Sequence, residues 1–312
     1  MKHVSITLCL FLSINLFANK KFLLNDNDTV LILGDSITHG GTYASILDTY
    51  LYRNLPKQKF NLIAIGLSSE TISGLSEKAH PFPRPNLHTR LDSALEKVKP
   101  NVVISCYGMN DGIYHPQSPE RMRAFKDGIN KLREKCKKAG AILIIMTPPP
   151  FDASNKRTFD KDHNNFSFKQ PYKNYDNVLK EYDHWLMTLK DKHTIVNLRA
   201  LFIELSTEMR KTNPKYVYSK DGIHPDKYGH YAMASALIKA LNGPVELDIN
   251  KAAMDKFFKS KHYQLANKRR AILSDSWRTH VGHKRPGVKK GLPLEKALIE
   301  AKKLDEVIRA LK

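Results

Sequence analysis

Three short segments of this chain hold side chains that could together break an acyl bond. Gly34-Asp35-Ser36 closes the apolar run Val30 to Leu33, Gly108-Met109-Asn110-Asp111 closes another, and Asp221-Gly222-Ile223-His224-Pro225 lies far downstream. A serine hydroxyl is a weak nucleophile at neutral pH and needs a base to take its proton as it attacks. His224 is the candidate base. Asp221, three residues earlier, is suited to holding the imidazole and stabilising its protonated form. Asn110 offers two uncharged N–H donors to the oxyanion that attack creates, and the Ser36 backbone N–H is a second candidate. Asp111 reads as structural. A blander alternative is that Asp35 and Ser36 only cap the helix that follows. A calcium loop at Asp221 is a poor alternative, because one Asp-Gly pair lacks the other oxygen ligands.

These residues need a frame. Five apolar segments read as strands: Val30–Leu33, Phe60–Ile65, Val102–Tyr107, Ile142–Thr147 and Thr194–Leu198. Helical spacing separates them, in Tyr43–Tyr52, Leu87–Val98, Pro119–Lys138 and Tyr172–Lys190, and a further helix follows over Asp226–Leu241 with Pro225 at its start. Strand–helix alternation implies a parallel sheet covered on both faces, an α/β/α sandwich. Active sites of such open sheets collect at the carboxyl ends of the strands. Ser36, Gly66, Asn110 and Pro148 all fall just past such ends.

Gly34-Asp35-Ser36, Gly66, Gly108-x-Asn110-Asp111 and Asp221-x-x-His224-Pro225 resemble, in order, the four sequence blocks of the GDSL/SGNH hydrolases. The resemblance covers roughly residues 28 to 242. It implies a flavodoxin-like fold with a five-stranded parallel sheet. It also implies Ser36, Asp221 and His224 as a catalytic triad, with the backbone N–H groups of Ser36 and Gly66 and the Asn110 amide as the oxyanion hole. The segment Ile65-Gly66-Leu67-Ser68-Ser69 departs from the commoner form of its block, which has Asn after the glycine. There is no Gly-x-Ser-x-Gly elbow, which argues against the other large serine-hydrolase fold. No cofactor is implied and no metal site is expected. His280 and His283 lack a completing carboxylate or cysteine, His80, His88 and His115 read as surface or cleft residues, and His230 reads as a helix-surface residue.

Residues 1–18 read as a signal peptide, with Lys2 before the apolar stretch Val4 to Phe17 and a cleavage point after Ala18, so export is expected, to the periplasm or beyond if the source is bacterial. No other stretch is long and apolar enough to span a bilayer. The domains are then 1–18, a hydrolase domain over 19–244 ending at Asn242-Gly243-Pro244, and a basic helical extension over 245–312. The chain carries a net charge of +20, and the extension holds 17 basic against 8 acidic residues. Helices are expected there over Asn250–Ser274 and Leu294–Leu311. The Trp-, Arg- and His-rich stretch Ser276 to Gly287 joins them, either folding over the active-site mouth or simply anchoring the helices through Trp277. The polar, aromatic-containing segment Pro148 to Tyr172 is too long for an idle connector and reads as a lid or substrate wall, with disorder as the alternative. Asp35, Phe151, Trp277 and Arg278 are the further candidate substrate contacts. Export would permit a Cys106–Cys136 disulfide, but a cysteine in a central strand is more often simply buried.

The reading that follows is an exported serine esterase, most readily one that removes O-acetyl groups from a carbohydrate, with a basic surface suited to an anionic chain. A lipid esterase or lysophospholipase is the enzymatic alternative and predicts an apolar cleft. A non-catalytic glycan-binding protein on a hydrolase scaffold is the alternative of another class, against which the complete Ser–Asp–His set argues. Nucleic-acid binding has only net charge behind it and is not expected.

Overall fold

A computed structural model describes residues 21–311. The expected signal peptide lies outside the described residues. Five strands form one parallel sheet: β1 (Thr29–Gly34), β2 (Asn61–Ala64), β3 (Val102–Cys106), β4 (Ile142–Met146) and β5 (Thr194–Val196), in the order β2-β1-β3-β4-β5. Val30 pairs with Leu62 on one side and Val102 on the other. Val30 to Leu33 and Val102 to Ile104 are all buried, because helices cover both faces of the sheet and leave no polar side to alternate towards. The fold is the expected flavodoxin-like α/β/α sandwich.

The helices of the sandwich are α1 (Ser36–Gly40), α2 (Thr42–Asn54), α3 (Leu91–Val98), α4 (Pro119–Lys138), α5 (Tyr175–Met187), α6 (Arg199–Arg210) and α7 (Lys227–Ala240). In α4 the Ser118 hydroxyl accepts from the Arg121 N–H, Pro119 occupies the first turn, and Phe125, Ile129, Leu132 and Cys136 form the buried face. In α7 the Asp226 carboxylate accepts from the Tyr228 and Gly229 amides, which fixes where that helix begins. The expected helix over 87–98 is instead a short 3-10 turn at Leu87–Thr89 followed by α3. Helix α6 was not legible in the sequence. It starts directly after β5 from Leu198, which supplies no side-chain cap, so its only signal is the buried face of Phe202, Leu205 and Met209.

The basic extension forms α8 (Lys251–Lys259), α9 (Lys261–Val281) and α10 (Leu294–Arg309). The single helix expected over 250–274 breaks at Ser260, whose backbone is extended and whose hydroxyl caps α9 through the Tyr263 N–H. Helix α9 packs on α2, α3 and β2. Met254, Phe257, Leu273, Trp277, Val281 and Ala301 are buried in the same core as the strands, so this segment completes the sandwich instead of forming a core of its own. The buried pair Arg269–Asp48, 3.2 Å, ties α9 to α2. No helix among the described residues is long and apolar enough to cross a membrane. Cys106 and Cys136 are both buried free thiols.

Candidate active site

The carboxyl ends of the strands bring the distant motifs together. Ser36 opens α1 one residue after Asp35, whose carboxylate accepts from the Ile37 N–H at 2.9 Å and starts the helix. The His224 ring sits between its two partners, with Nε2 2.8 Å from Ser36 Oγ and Nδ1 2.6 Å from Asp221 Oδ2. The other oxygen of Asp221 accepts from the backbone N–H groups of Ile223 (3.0 Å) and His224 (2.8 Å) and from the Ser219 hydroxyl (3.1 Å). The carboxylate thus holds both the turn and the ring that the turn presents.

The turn depends on Gly222, which has φ +80°, a conformation that L side chains rarely adopt. A Cβ there would lie 2.8 Å from the Asp152 carbonyl and 3.1 Å from the Phe151 ring. Phe151 and Asp152 support this turn from behind, and the Asp152 N–H donates to the Gly222 carbonyl at 3.0 Å. The Phe151 ring is buried, edge-on to Tyr175 at 5.6 Å.

The charges of the group are mutually consistent. Burial would push the Asp221 carboxyl up, but hydrogen bonds from the His224 ring, the His224 amide and the Ile223 amide outweigh it and hold the carboxyl well below its usual range. Burial likewise opposes protonation of His224, yet the hydrogen bond to Asp221 and the charge of that carboxylate raise it above its ordinary 6.5, with Asp35 adding to the effect and Lys156 opposing it. Burial raises the Asp35 carboxyl to about 7.

Asn110 lies just past β3 with its side chain buried. Its Oδ1 accepts from the Tyr114 hydroxyl at 2.9 Å, and its Nδ2 donates to the Glu70 carbonyl at 3.2 Å, which leaves a second N–H of that amide. Asp111 is structural as expected, accepting from the Ile72 and Ser73 amides at 2.8 Å. Gly66 is a glycine for a packing reason. A Cβ would overlap the backbone of Thr38 and His39 in α1, and its carbonyl accepts from Arg278 Nε at 2.8 Å.

Asp35, Phe151, Trp277 and Arg278, the further candidate substrate contacts, are all buried. Asp35 caps α1 and Phe151 backs the Gly222 turn. Trp277 and Arg278 belong to α9, not to a loop over the site, and face the core. His230, expected on the helix surface, is instead buried. It lies on the buried face of α7, its ring nearly parallel to that of Tyr43 (10°, centroids 6.1 Å apart), and burial pushes it down to about 3. His80 is buried as well. The segment 148–172 has only a 3-10 turn at Ala153–Asn155 and isolated bridges, yet it is packed, with Phe166 buried among His115, His163 and Tyr172. It brings Lys156 near enough to His224 to oppose its protonation, a role that no local pattern disclosed.

Known proteins agree with this frame. The chain matches the GDSL-like Lipase/Acylhydrolase family over residues 32–232. No curated protein sequence matches it. Among solved structures it is similar to Axe2, an acetylxylan esterase from Geobacillus stearothermophilus, at 18% identity and a TM-score of 0.53, over 70% of this chain and 96% of that one. It is similar to the acetyl xylan esterase AlAXEase at 19% identity and a TM-score of 0.50, over 68% and 98% of the two chains. A third is BT4096, a gut microbial diltiazem-metabolizing enzyme, at 20% identity and a TM-score of 0.53, where the match covers 70% of this chain but 47% of that one. At these identities the likeness shows the fold alone, whereas the family match spans most of the chain. The protein therefore belongs to the GDSL-like lipase/acylhydrolase family of ester-hydrolysing enzymes.

Proposed function

We propose that this protein is a serine esterase that removes O-acetyl groups from a carbohydrate. The observation that carries the catalytic part is the relay from Ser36 Oγ through His224 to Asp221, with links of 2.8 and 2.6 Å. Ser36 Oγ attacks the ester carbonyl carbon while His224 Nε2 takes its proton, and the carbonyl electron pair moves onto oxygen. The remaining Asn110 N–H meets that oxyanion. Collapse breaks the bond to the alkoxide, which leaves with the proton from His224. Water then attacks the acyl-serine by the same route in reverse and releases the acid.

The carbohydrate part has two supports. The triad is open: the His224 and Asp221 side chains are each 47% exposed, which suits an ester carried on a polymer better than a long acyl chain that needs an enclosing apolar channel. A cavity of about 800 Å³ is lined by Phe22, Ile238 and Asn242 at the far end of α7, and Ser36, Asp221 and His224 do not line it. Two of the similar structures are acetylxylan esterases. Acetate release from acetylated xylan and other acetylated glycans, measured for the parent and Ser36→Ala beside short- and long-chain aryl esters, tests both parts. Serine-dependent acetate release is expected. Hydrolysis of long-chain esters without acetate release from any glycan would overturn the substrate class, and equal activity of the two proteins would overturn the mechanism.

A further inference from the structure

The turn after β2 is held by three guanidinium groups. Arg278 Nε donates to the Gly66 carbonyl at 2.8 Å, Arg285 Nε to the Ser68 carbonyl at 2.7 Å, and Arg84 Nη1 to the Ser69 carbonyl at 3.2 Å. Two of the three come from the C-terminal extension. The Glu70 N–H donates to the Leu67 carbonyl at 3.0 Å, which makes Leu67–Glu70 a β-turn. Ser69, its third residue, has φ +69°, and Ser68 has no positive φ. That combination is the signature of a type II turn, which normally places glycine or asparagine third. A serine there is strained, and the ordinary relief is to rotate the Ser68–Ser69 peptide into a type I turn.

We propose that Arg285 is a positioning residue: by holding the Ser68 carbonyl it fixes the Ser68–Ser69 peptide in its type II orientation and presents the Ser69 N–H, in place of the Gly66 N–H expected from the sequence, as an oxyanion donor opposite Asn110. The carbonyl and N–H of one peptide point in opposite directions, so anchoring the Ser68 oxygen outward aims the Ser69 hydrogen inward. Every other amide from Leu67 to Glu70 is engaged: Leu67 with the Gly34 carbonyl, Ser68 with His39 Nδ1 at 3.3 Å and Glu70 with the Leu67 carbonyl. The turn lies between His39, three residues beyond Ser36 on α1, and Asn110, whose amide grips the Glu70 carbonyl. Burial keeps His39 at about 4 and hence neutral, as an acceptor for the Ser68 N–H must be. The extension therefore reaches the reaction centre through a backbone carbonyl, without touching substrate.

This inference rests on Ser36 acting as an acyl-accepting nucleophile, and the test separates the two. Kinetics on an aryl acetate, with thermal midpoints, are measured for the parent, Ser36→Ala, Arg285→Met, Arg285→Gln and Arg285→Met/Ser69→Gly. Arg285→Met is expected to lower kcat about tenfold or more with KM within about twofold, as for a weakened oxyanion donor. Arg285→Gln, which keeps an N–H donor without the charge, is expected to stay within about threefold of the parent. Glycine accepts positive φ without strain, so Ser69→Gly is expected to restore most of the kcat lost in Arg285→Met. An unchanged kcat in Arg285→Met, a defect in Arg285→Gln as deep as in Arg285→Met, or no restoration by Ser69→Gly overturns the inference while an inactive Ser36→Ala leaves the esterase reading standing. A fully active Ser36→Ala overturns the esterase reading itself.

Discussion

At the scale of single residues, the proposed chemistry depends on whether His224 is protonated. A general base must be neutral, and Asp221 raises His224 above 6.5. The rate is therefore expected to fall as pH drops through a value above 6.5, because protonation of the ring removes the acceptor for the Ser36 proton. Asp221→Asn removes the charge that raises it and leaves the ring poorly oriented. A fall of roughly ten-thousandfold in kcat is expected, as for other triads that lose this carboxylate, with the acid limb of the remaining activity moved to lower pH. Asn110→Ala is expected to lower kcat by about a hundredfold to a thousandfold with little change in KM, and pre-steady-state kinetics on an aryl acetate would show the loss in the acylation step. The meeting of Ser36, His224 and Asp221 was legible in the sequence because each sits in a short motif whose residue types suit one another. The burial of Asp35, Phe151, Trp277 and Arg278 was not legible, because burial depends on what packs over a residue, and the covering groups lie far away in the chain.

At the scale of elements, the site depends on turns that leave no room for change. Gly222→Ala places a Cβ in left-handed backbone against the Asp152 carbonyl. A loss of about 1–3 kcal/mol in stability is expected, with a fall in kcat larger than that loss of folded protein explains, as the His224 ring tilts from Ser36. Circular dichroism melts beside steady-state kinetics would separate the two effects. The five strands were readable because a buried parallel strand is a continuous apolar run, and each was placed to within a residue or two of its observed ends. Helix α6 and the break at Ser260 were not readable. The first has no capping side chain, and at the second a serine breaks an otherwise helical pattern without proline or glycine.

At the scale of the whole molecule, the basic extension is part of the core. Arg269 in α9 meets Asp48 in α2 at 3.2 Å, both buried, and burial raises the Asp48 carboxyl against the pull of Arg269. Arg269→Ala strands that carboxylate and is expected to cost about 3–5 kcal/mol, measured by urea unfolding, with Asp48→Asn in the same background recovering part of it. Acid stability provides a second check. Burial pushes His230 down to about 3, so the folded protein refuses a proton that the unfolded chain accepts below 6.5. Its contribution to stability is complete above 6.5 and is lost as pH falls towards 3, at about 1.4 kcal/mol per pH unit. Asp35, raised to about 7, and Asp183, raised to about 6, act in the opposite sense. The isolated effect is therefore the difference between the parent and His230→Phe, whose unfolding free energy is expected to fall less steeply between pH 6 and pH 4. The sequence disclosed the charge of the extension but not its burial, because a helix that carries Arg269, Arg270 and Arg278 on its inner face does not read as amphipathic.

The most direct test of the account is covalent capture of the nucleophile. The parent protein is treated with an alkyl fluorophosphonate, which traps an activated serine, and the modified peptide is identified by mass spectrometry. One adduct on Ser36 is expected, absent from Ser36→Ala and formed far more slowly in His224→Ala. Ester hydrolysis by a parent protein that carries no adduct, or an adduct on any other residue that abolishes activity while Ser36 stays unmodified, would contradict the account.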